Sequence, residues 1–287
     1  MQRQYNEIKE KNQDCILFFR LGDFYEMFND DARTAAKELD LTLTTRDRGK
    51  PKEEQTPMCG VPYHSVDSYI ARLVQKGYKV AICEQMTDPA TTKGLVERDI
   101  TRIVTPGTVT ESCMLDESKN NYMACLYGMG GKFGLAFCDV STGAFFVTVC
   151  SDAQSVASEL GRFAPSEVLR FGAGVEEETI SDALFRRLGC CVDEGHEQQF
   201  RLEAAEDLLE RHFEQNLAQL GIAGMDTAVI ASGALLQVLL DVQKNDLKHI
   251  RQLQYYTNGK FMELDMDARR NLELTETMRA KEKKGSL

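Results

Sequence analysis

The strongest constraint on this chain is an apolar run, Cys15-Ile16-Leu17-Phe18-Phe19, that is broken at Gly22 and resumes as Phe24-Tyr25-Glu26-Met27-Phe28. The run has β character, so the segment after the glycine reads as a resumed strand. Side chains alternate along a strand, which puts Phe24 and Glu26 on one face and Tyr25 on the other. An aromatic ring beside a carboxylate is a poor choice for a core. It suits a surface that presses a flat ring against something flat and hydrogen-bonds beside it. It also describes a strand edge with one solvated glutamate, and these residues alone leave both readings open.

At 287 residues the chain is long enough for two domains, and a hydrophobic share of 43% is ample for real cores. No unbroken apolar run approaches the roughly 18 residues of a membrane span, and no opening segment reads as a secretory signal. Nine cysteines are scattered without a CxxC pair, Cys190-Cys191 being the one close pair. Several sit inside apolar stretches and read as small buried hydrophobes in a reducing cytosol. The four histidines, His64, His196, His212 and His249, lie far apart and signal no metal site.

A formal net charge of −11 argues superficially against nucleic acid. Its distribution matters more. Residues 1–105 carry 16 Lys and Arg against 17 Asp and Glu, which leaves 18 against 28 for the remainder. The acidic part is not the part that would touch phosphate.

Along the chain, residues 2–12 read as a polar helix. Asn29-Asp30-Asp31 reads as an N-cap region for a helix over Ala32–Leu39. Leu41–Thr45 alternates like a strand. The basic, turn-rich stretch Arg46-Asp47-Arg48-Gly49-Lys50-Pro51-Lys52 fits either a phosphate-touching loop or a solvated hairpin tip. Ser65–Gly77 has helical spacing closed by glycine, Tyr78–Cys83 reads as a buried strand, and Val96–Val104 alternates again up to the turn Thr105-Pro106-Gly107. Beyond it, Tyr122–Tyr127, Phe133–Val140 and Ala144–Val149 form an antiparallel meander. A helix over Ala153–Phe163, a strand Val168–Phe171, a helix near Ser181–Leu188 and a strand Cys190–Val192 come next, which together make a mixed α/β domain. Helices are expected over Leu202–Phe213 and Thr227–Gln243, then a strand Phe261–Leu264 leading into a further helix. Gly128-Met129-Gly130-Gly131-Lys132 superficially suggests a phosphate loop. It lacks the Gly-x4-Gly-Lys-Ser/Thr spacing and lies between strands, so it reads as a hairpin.

Several of these segments are specific in combination. Gly22-Asp23-Phe24-Tyr25-Glu26, Pro57-Met58-Cys59-Gly60-Val61-Pro62-Tyr63-His64, Val80-Ala81-Ile82-Cys83-Glu84-Gln85, and Val96-Glu97-Arg98 with Arg102-Ile103-Val104-Thr105-Pro106-Gly107-Thr108 resemble, in order and spacing, the mismatch-recognition domain of the MutS family of bacterial DNA mismatch repair proteins. Phe137-Cys138-Asp139-Val140-Ser141-Thr142-Gly143 resembles the first hairpin of that family's RNase H-like connector domain. The stretch from Leu264 to Leu274 resembles the entry to its core, or lever, domain.

The resemblance implies a division into a mismatch-recognition domain over residues 1–105, a connector over 106–254, and a short helical start of the core domain over 255–287. It implies an N-terminal piece of a longer protein, without the family's C-terminal ATPase. It assigns Phe24 as a wedge stacked on a mispaired base from the minor groove and Glu26 as the hydrogen-bond partner of that base, and it places Arg46 and Met58 near the DNA. Stacking on a ring tolerates any base, and unstacking is cheapest at a mispair, so such a wedge reads deformability rather than sequence. Nearby phosphate charge would favour the protonated form of Glu26, which can donate to a purine N7.

By the same resemblance this piece is not an enzyme and carries no cofactor, ATP and Mg²⁺ belonging to the family's ATPase domain. Its partners would be mismatched double-stranded DNA and a MutL-like protein contacting the connector. Here Ala205-Glu206-Asp207-Leu208-Leu209 lacks the glutamine pair associated with that contact. The full-length family is homodimeric, while the fragment could be monomeric. The expected location is cytoplasmic, nucleoid-associated when on DNA, with no membrane. Two other classes are compatible with parts of the sequence. A metal-dependent nuclease could place a carboxylate at Asp139, although no second and third acid complete a site and a turn former explains that residue better. A protein-interaction scaffold would fit the acidic connector and would show no preference between mismatched and paired duplex.

Overall fold

The computed structural model describes residues 1–46, 49, 51, 55–87, 96–116, 119–173, 180, 182–257 and 271–272. The expected strand at Phe261–Leu264 and nearly all of the expected core-domain start therefore lie outside the described residues. Two compact units emerge, Met1–Lys119 with Leu240–Leu247, and Asn120–Leu239 with Lys248–Leu287. Both are mixed α/β, as expected, and each is built on a six-stranded sheet.

In the first unit the elements are α1 (Gln2–Glu10), β1 (Cys15–Leu21), β2 (Phe24–Phe28), α2 (Asn29–Leu39), β3 (Thr44–Thr45), β4 (Pro57–Pro62), α3 (Val66–Val74), β5 (Lys79–Gln85) and β6 (Arg98–Val104). The sheet order is β3-β4-β2-β1-β5-β6, with β1 antiparallel to β2 and parallel to β5. The apolar run explains why β1 is central, because it is buried on both faces. Ile16 and Phe18 pack with Ala32, Ala35 and Leu39 of α2 and Ile70, Leu73 and Val74 of α3. Cys15, Leu17 and Phe19 point the other way and pack with Tyr5 and Ile8 of α1. A strand buried on both faces reads as a continuous hydrophobic run rather than an alternation.

The first unit corrects three sequence expectations. The residues Asn29-Asp30-Asp31 do not cap α2 from outside, because the helix begins at Asn29 and Phe28 stands at the cap position without a side-chain bond. Asp31 is turned inward instead. It accepts hydrogen bonds from Tyr5 Oη at 2.9 Å, Lys9 Nζ at 2.9 Å and the Leu17 amide at 3.0 Å. A buried carboxylate needs such partners, and these fasten α1 across the sheet. The strand expected over Leu41–Thr45 is reduced to β3, and the first helix stops at Glu10. The segment Pro57–Pro62, to which the sequence reading assigns no element, is β4, paired to β2 on one side and β3 on the other.

In the second unit a meander of β7 (Tyr122–Met129), β8 (Lys132–Asp139) and β9 (Ala144–Cys150) is followed by α4 (Ala153–Phe163), β10 (Glu167–Gly172), α5 (Asp182–Leu188), β11 (Cys191–Glu194), α6 (Leu202–Phe213), α7 (Asp226–Gln243) and β12 (Leu253–Tyr255). The sheet order is β11-β10-β7-β8-β9-β12. The meander is antiparallel, and β10, β11 and β12 add in parallel. The antiparallel meander and the elements after it make the mixed α/β domain expected from the sequence. The glycine-rich stretch is the hairpin anticipated, with Gly130 and Gly131 at φ of +58° and +75° between β7 and β8. Both central residues at positive φ suit a two-residue hairpin loop.

Strand β8 shows how this sheet is closed on both sides. Phe133, Leu135 and Phe137 pack with Val156 and Leu160 of α4 and Phe185 of α5. The alternate residues are small, Gly134, Ala136 and Cys138, and a methyl group on Gly134 would lie 1.9 Å from the Thr227 carbonyl oxygen of α7. Helix α7 has 18 residues and is apolar enough by composition to cross a membrane. Its apolarity serves the core, because Val229, Ile230, Ala234, Leu235, Leu236 and Leu239 are all buried.

Candidate nucleic-acid interface

The first sheet is not closed on both sides. Its α2–α3 face is covered, while α1 covers only part of the opposite face. Strand β2 crosses the margin of that cover. Its inward residues Tyr25 and Met27 are buried in the α2–α3 cluster. On the other face Phe28 is 4% exposed beneath α1, and Phe24 at the far end of the strand is 48% exposed. Glu26 lies between them, with its side chain 20% exposed. The alternation expected from the sequence thus holds, and it delivers an exposed ring and a half-buried carboxylate to one open corner.

Register fixes what surrounds them. Phe24 stands opposite Leu21 of β1 and Pro62 of β4. Glu26 stands opposite Phe19 and Gly60. Met58 of β4, the fourth expected site residue, stands opposite Phe28 and is half-buried against the α1 cluster, two cross-strand pairs beyond Glu26. Arg46, just past β3, reaches the same corner. Its Nη1 lies 3.6 Å from Glu26 Oε2 and donates to Met1 Sδ at 2.8 Å. The four expected residues therefore share one face of one sheet, with Phe24 at one end of β2, Met58 beside the other, and Arg46 reaching Glu26 between them. Most of the basic stretch that comes after Arg46 lies outside the described residues.

The electrostatics of Glu26 are unusual. Its Oε2 is buried and accepts no hydrogen bond. Burial raises its pKa above the ordinary carboxylate value, and the Arg46 guanidinium works in the opposite direction. Burial thus already favours the neutral form, before any phosphate charge is brought near.

The turn that carries Phe24 is braced from behind. Gly22 adopts φ +58°, which a β-branched or bulky residue would resist. Arg20 Nε donates to the Gly22 carbonyl, and its guanidinium lies over the Tyr63 ring, 4.0 Å from the centroid. The Tyr63 amide donates to the Asp23 carbonyl at 2.9 Å. On the same side the Tyr25 hydroxyl donates to Glu84. Sequence reasoning does not single out Arg20 or Tyr63. The segment containing Tyr63 is visible, but the contact joins residues 43 positions apart, which no local pattern encodes.

In the second unit Asp139 is 1% exposed and ends β8. Its Oδ1 accepts from the Ser141 amide at 2.9 Å and from Ser141 Oγ at 2.6 Å, and its Oδ2 from the Asn121 amide at 3.3 Å. It is a turn former whose lone pairs are taken up by neighbours. Among the described residues no group of three or more His, Cys, Asp or Glu is placed to hold a metal ion.

Residues 1–113 match the family model described as MutS domain I, and residues 121–251 match MutS domain II. The chain belongs to the MutS family. The DNA mismatch repair protein MutS of Ruminiclostridium cellulolyticum is 49% identical over 290 residues, covering 100% of this chain and 33% of the relative. The proteins of the same description from Acetivibrio thermocellus and Syntrophomonas wolfei are 48% and 45% identical, again over the whole chain and over 33% and 34% of their own lengths. The chain thus spans about a third of the length of the curated MutS relatives it matches. Phe24, Glu26, Arg46 and Met58 all fall in the segment matched by MutS domain I, and Asp139 and residues 205–209 fall in MutS domain II.

Proposed function

We propose that the open corner of the first sheet reads mispaired or unpaired bases in duplex DNA, as the name of its relatives suggests. Phe24 enters the disturbed base step, and Glu26 bonds to the edge of the displaced base. The observation that carries this reading is the pairing of an exposed ring with a half-buried carboxylate, one oxygen of which accepts no hydrogen bond, on one sheet face where a strand rises out of the cover of α1. A solvated strand edge would have left Glu26 in water. A core would have left neither residue accessible.

The division of labour rests on chemistry. The ring supplies stacking, worth about 1–3 kcal/mol per base and indifferent to which base is present. The disturbed step supplies cheap unstacking. Arg46 lies half-exposed at the rim, where a guanidinium can meet a phosphate. Met58 is an apolar flank. On the same resemblance we infer that the second unit joins this reader to the rest of a larger, ATP-hydrolysing, homodimeric assembly and offers a surface to a MutL-like partner. The nuclease reading lacks support, since the Asp139 lone pairs are occupied within its own turn.

The deciding experiment compares affinities for mismatched and paired duplex at fixed salt. Phe24→Ala should lower mismatch affinity by about 1–3 kcal/mol. Paired-duplex binding, which rests on phosphate contacts, should barely move. An unchanged ratio in a folded variant would refute the wedge.

A further inference from the structure

Among the described residues Glu26 has a single charged partner, and that partner is itself placed to bind phosphate. Phe19 on β1 and Gly60 on β4 flank Glu26 in register and bring no charge. Arg98 of β6 lies over the Phe19 ring, 5.0 Å from its centroid, but it is committed to the Arg20 and Val96 carbonyls and to Gln4 Oε1. The amino-terminal Met1 meets Arg46 through its thioether. Among the described residues Arg46 is the one charge that bears on Glu26, and it opposes the effect of burial.

The geometry of this pair is loose. At 3.6 Å it is an ion pair without a hydrogen bond, and Glu26 Oε2 accepts nothing while sealed from water. The Arg46 side chain is 50% exposed. A guanidinium that is half in solvent and makes no bidentate bond to its carboxylate is available to a better acceptor. A DNA phosphate is such an acceptor, since it offers bidentate, charge-assisted hydrogen bonds that match the planar fork of the guanidinium.

We propose that Arg46 is handed from Glu26 to a DNA phosphate when the duplex docks, and that Glu26, stripped of its counter-ion in a half-buried place, takes up a proton and becomes the hydrogen-bond donor to the base. This rests on the reading of the corner as a mismatch reader and adds its control. In the free protein Arg46 favours the ionised carboxylate against the effect of burial. The carboxylate is converted to a donor only where phosphate has engaged Arg46, so scanning of the backbone prepares the contact to the base. The proton comes from solvent and none is lost elsewhere, so docking is accompanied by net uptake of one proton.

Glu26 then titrates at higher pH in the complex than in the free protein. Between the two midpoints affinity falls as pH rises, by up to about tenfold per pH unit for one proton. Below both midpoints and above both, the dependence vanishes.

The test uses NMR of the Glu26 carboxyl with carboxyl-labelled glutamate, in the wild type, Arg46→Gln and Arg46→Lys. In the free chain the midpoint should move up in Arg46→Gln and return towards the wild-type position in Arg46→Lys, which restores a charge. Equal midpoints in all three would overturn the proposal. Saturating the wild type with paired duplex at low salt should move its midpoint up towards that of free Arg46→Gln, and duplex should move the Arg46→Gln midpoint much less. A wild-type midpoint that stays or falls with duplex bound would overturn the hand-off. Absence of duplex binding at any concentration, or mismatch discrimination that survives both Phe24→Ala and Glu26→Gln, would instead remove the interface reading itself, and the hand-off with it.

Discussion

The two sheets of this protein have the same number of strands and opposite treatments of their faces. The second is closed on both sides, and β8 divides its residues into large ones facing α4 and α5 and small ones facing α7. The first is closed on one side and only partly on the other, where α1 ends and β2 continues into the open. What differs is the length of cover rather than the kind of strand. A single strand, β2, holds a buried and an exposed phenylalanine four residues apart on one face. The comparison teaches that a binding corner needs no special secondary structure. It needs a helix that stops short.

The largest effect that would sharpen this comparison lies in paired aromatic deletions. Phe137 is fully buried and stacks on Phe163 with ring centroids 4.0 Å apart. Phe137→Ala should cost about 3–5 kcal/mol in thermal or denaturant unfolding. Phe24→Ala should leave stability within about 0.5 kcal/mol, because an exposed ring has little burial to lose. A large loss of stability from Phe24→Ala would break the comparison.

A second pair uses glycines. Gly134→Ala forces a methyl group into the Thr227 carbonyl, a backbone atom that cannot swing aside, and should cost about 3 kcal/mol. Gly22→Ala meets nothing within 4 Å and should cost about 1 kcal/mol from its positive φ alone. Equal costs in urea unfolding would mean that α7 does not press closely on β8.

The smallest effect is chemical. Burial pushes the Cys15 and Cys83 thiols up to about 12 and the Cys59 thiol up to about 11, so at a pH of about 8 they carry almost no thiolate. Cys113 is exposed. A thiol reagent should label Cys113 quickly in the native protein and leave those three silent until unfolding. Rapid labelling of Cys15 or Cys83 would show that the cover of α1 opens readily.

Much of this is legible in the sequence, for physical reasons. The apolar run, the Gly130-Gly131 hairpin and the long apolar helix each carry a local signal, and local signals survive folding. Phe24 and Glu26 are legible as a face because alternation is a property of the strand itself. The strand β4 is not, since its two prolines and glycine break any local strand pattern and no element is assigned to it. It is tolerated because the prolines sit at its first and last positions. Asp31 reads as part of a cap because acids favour helix starts, and its true role depends on Tyr5 and Lys9 arriving from α1. The Arg46–Glu26 pair spans 20 residues and arises only when β3 and β4 fold back along β2. From the sequence, only phosphates offer a reason for Glu26 to take up a proton, whereas in the fold burial also favours the neutral form.

The brace behind Gly22 has a mechanical consequence. A ring that props open a stacked helix is pushed back by the stack with the force it exerts, and a compliant mount would yield before the bases did. Strand β2 is pinned by hydrogen-bonded neighbours on both flanks. The bend that leads into it is tied to Arg20 and to the Tyr63 amide. The load on Phe24 therefore runs along peptide bonds into the middle of a six-stranded sheet rather than into a loop. If Phe24 enters a base step as proposed, compliance is left to the DNA, so a sound step resists the ring and a faulty one gives way, and the stiffness of the mount becomes the reference against which the duplex is gauged.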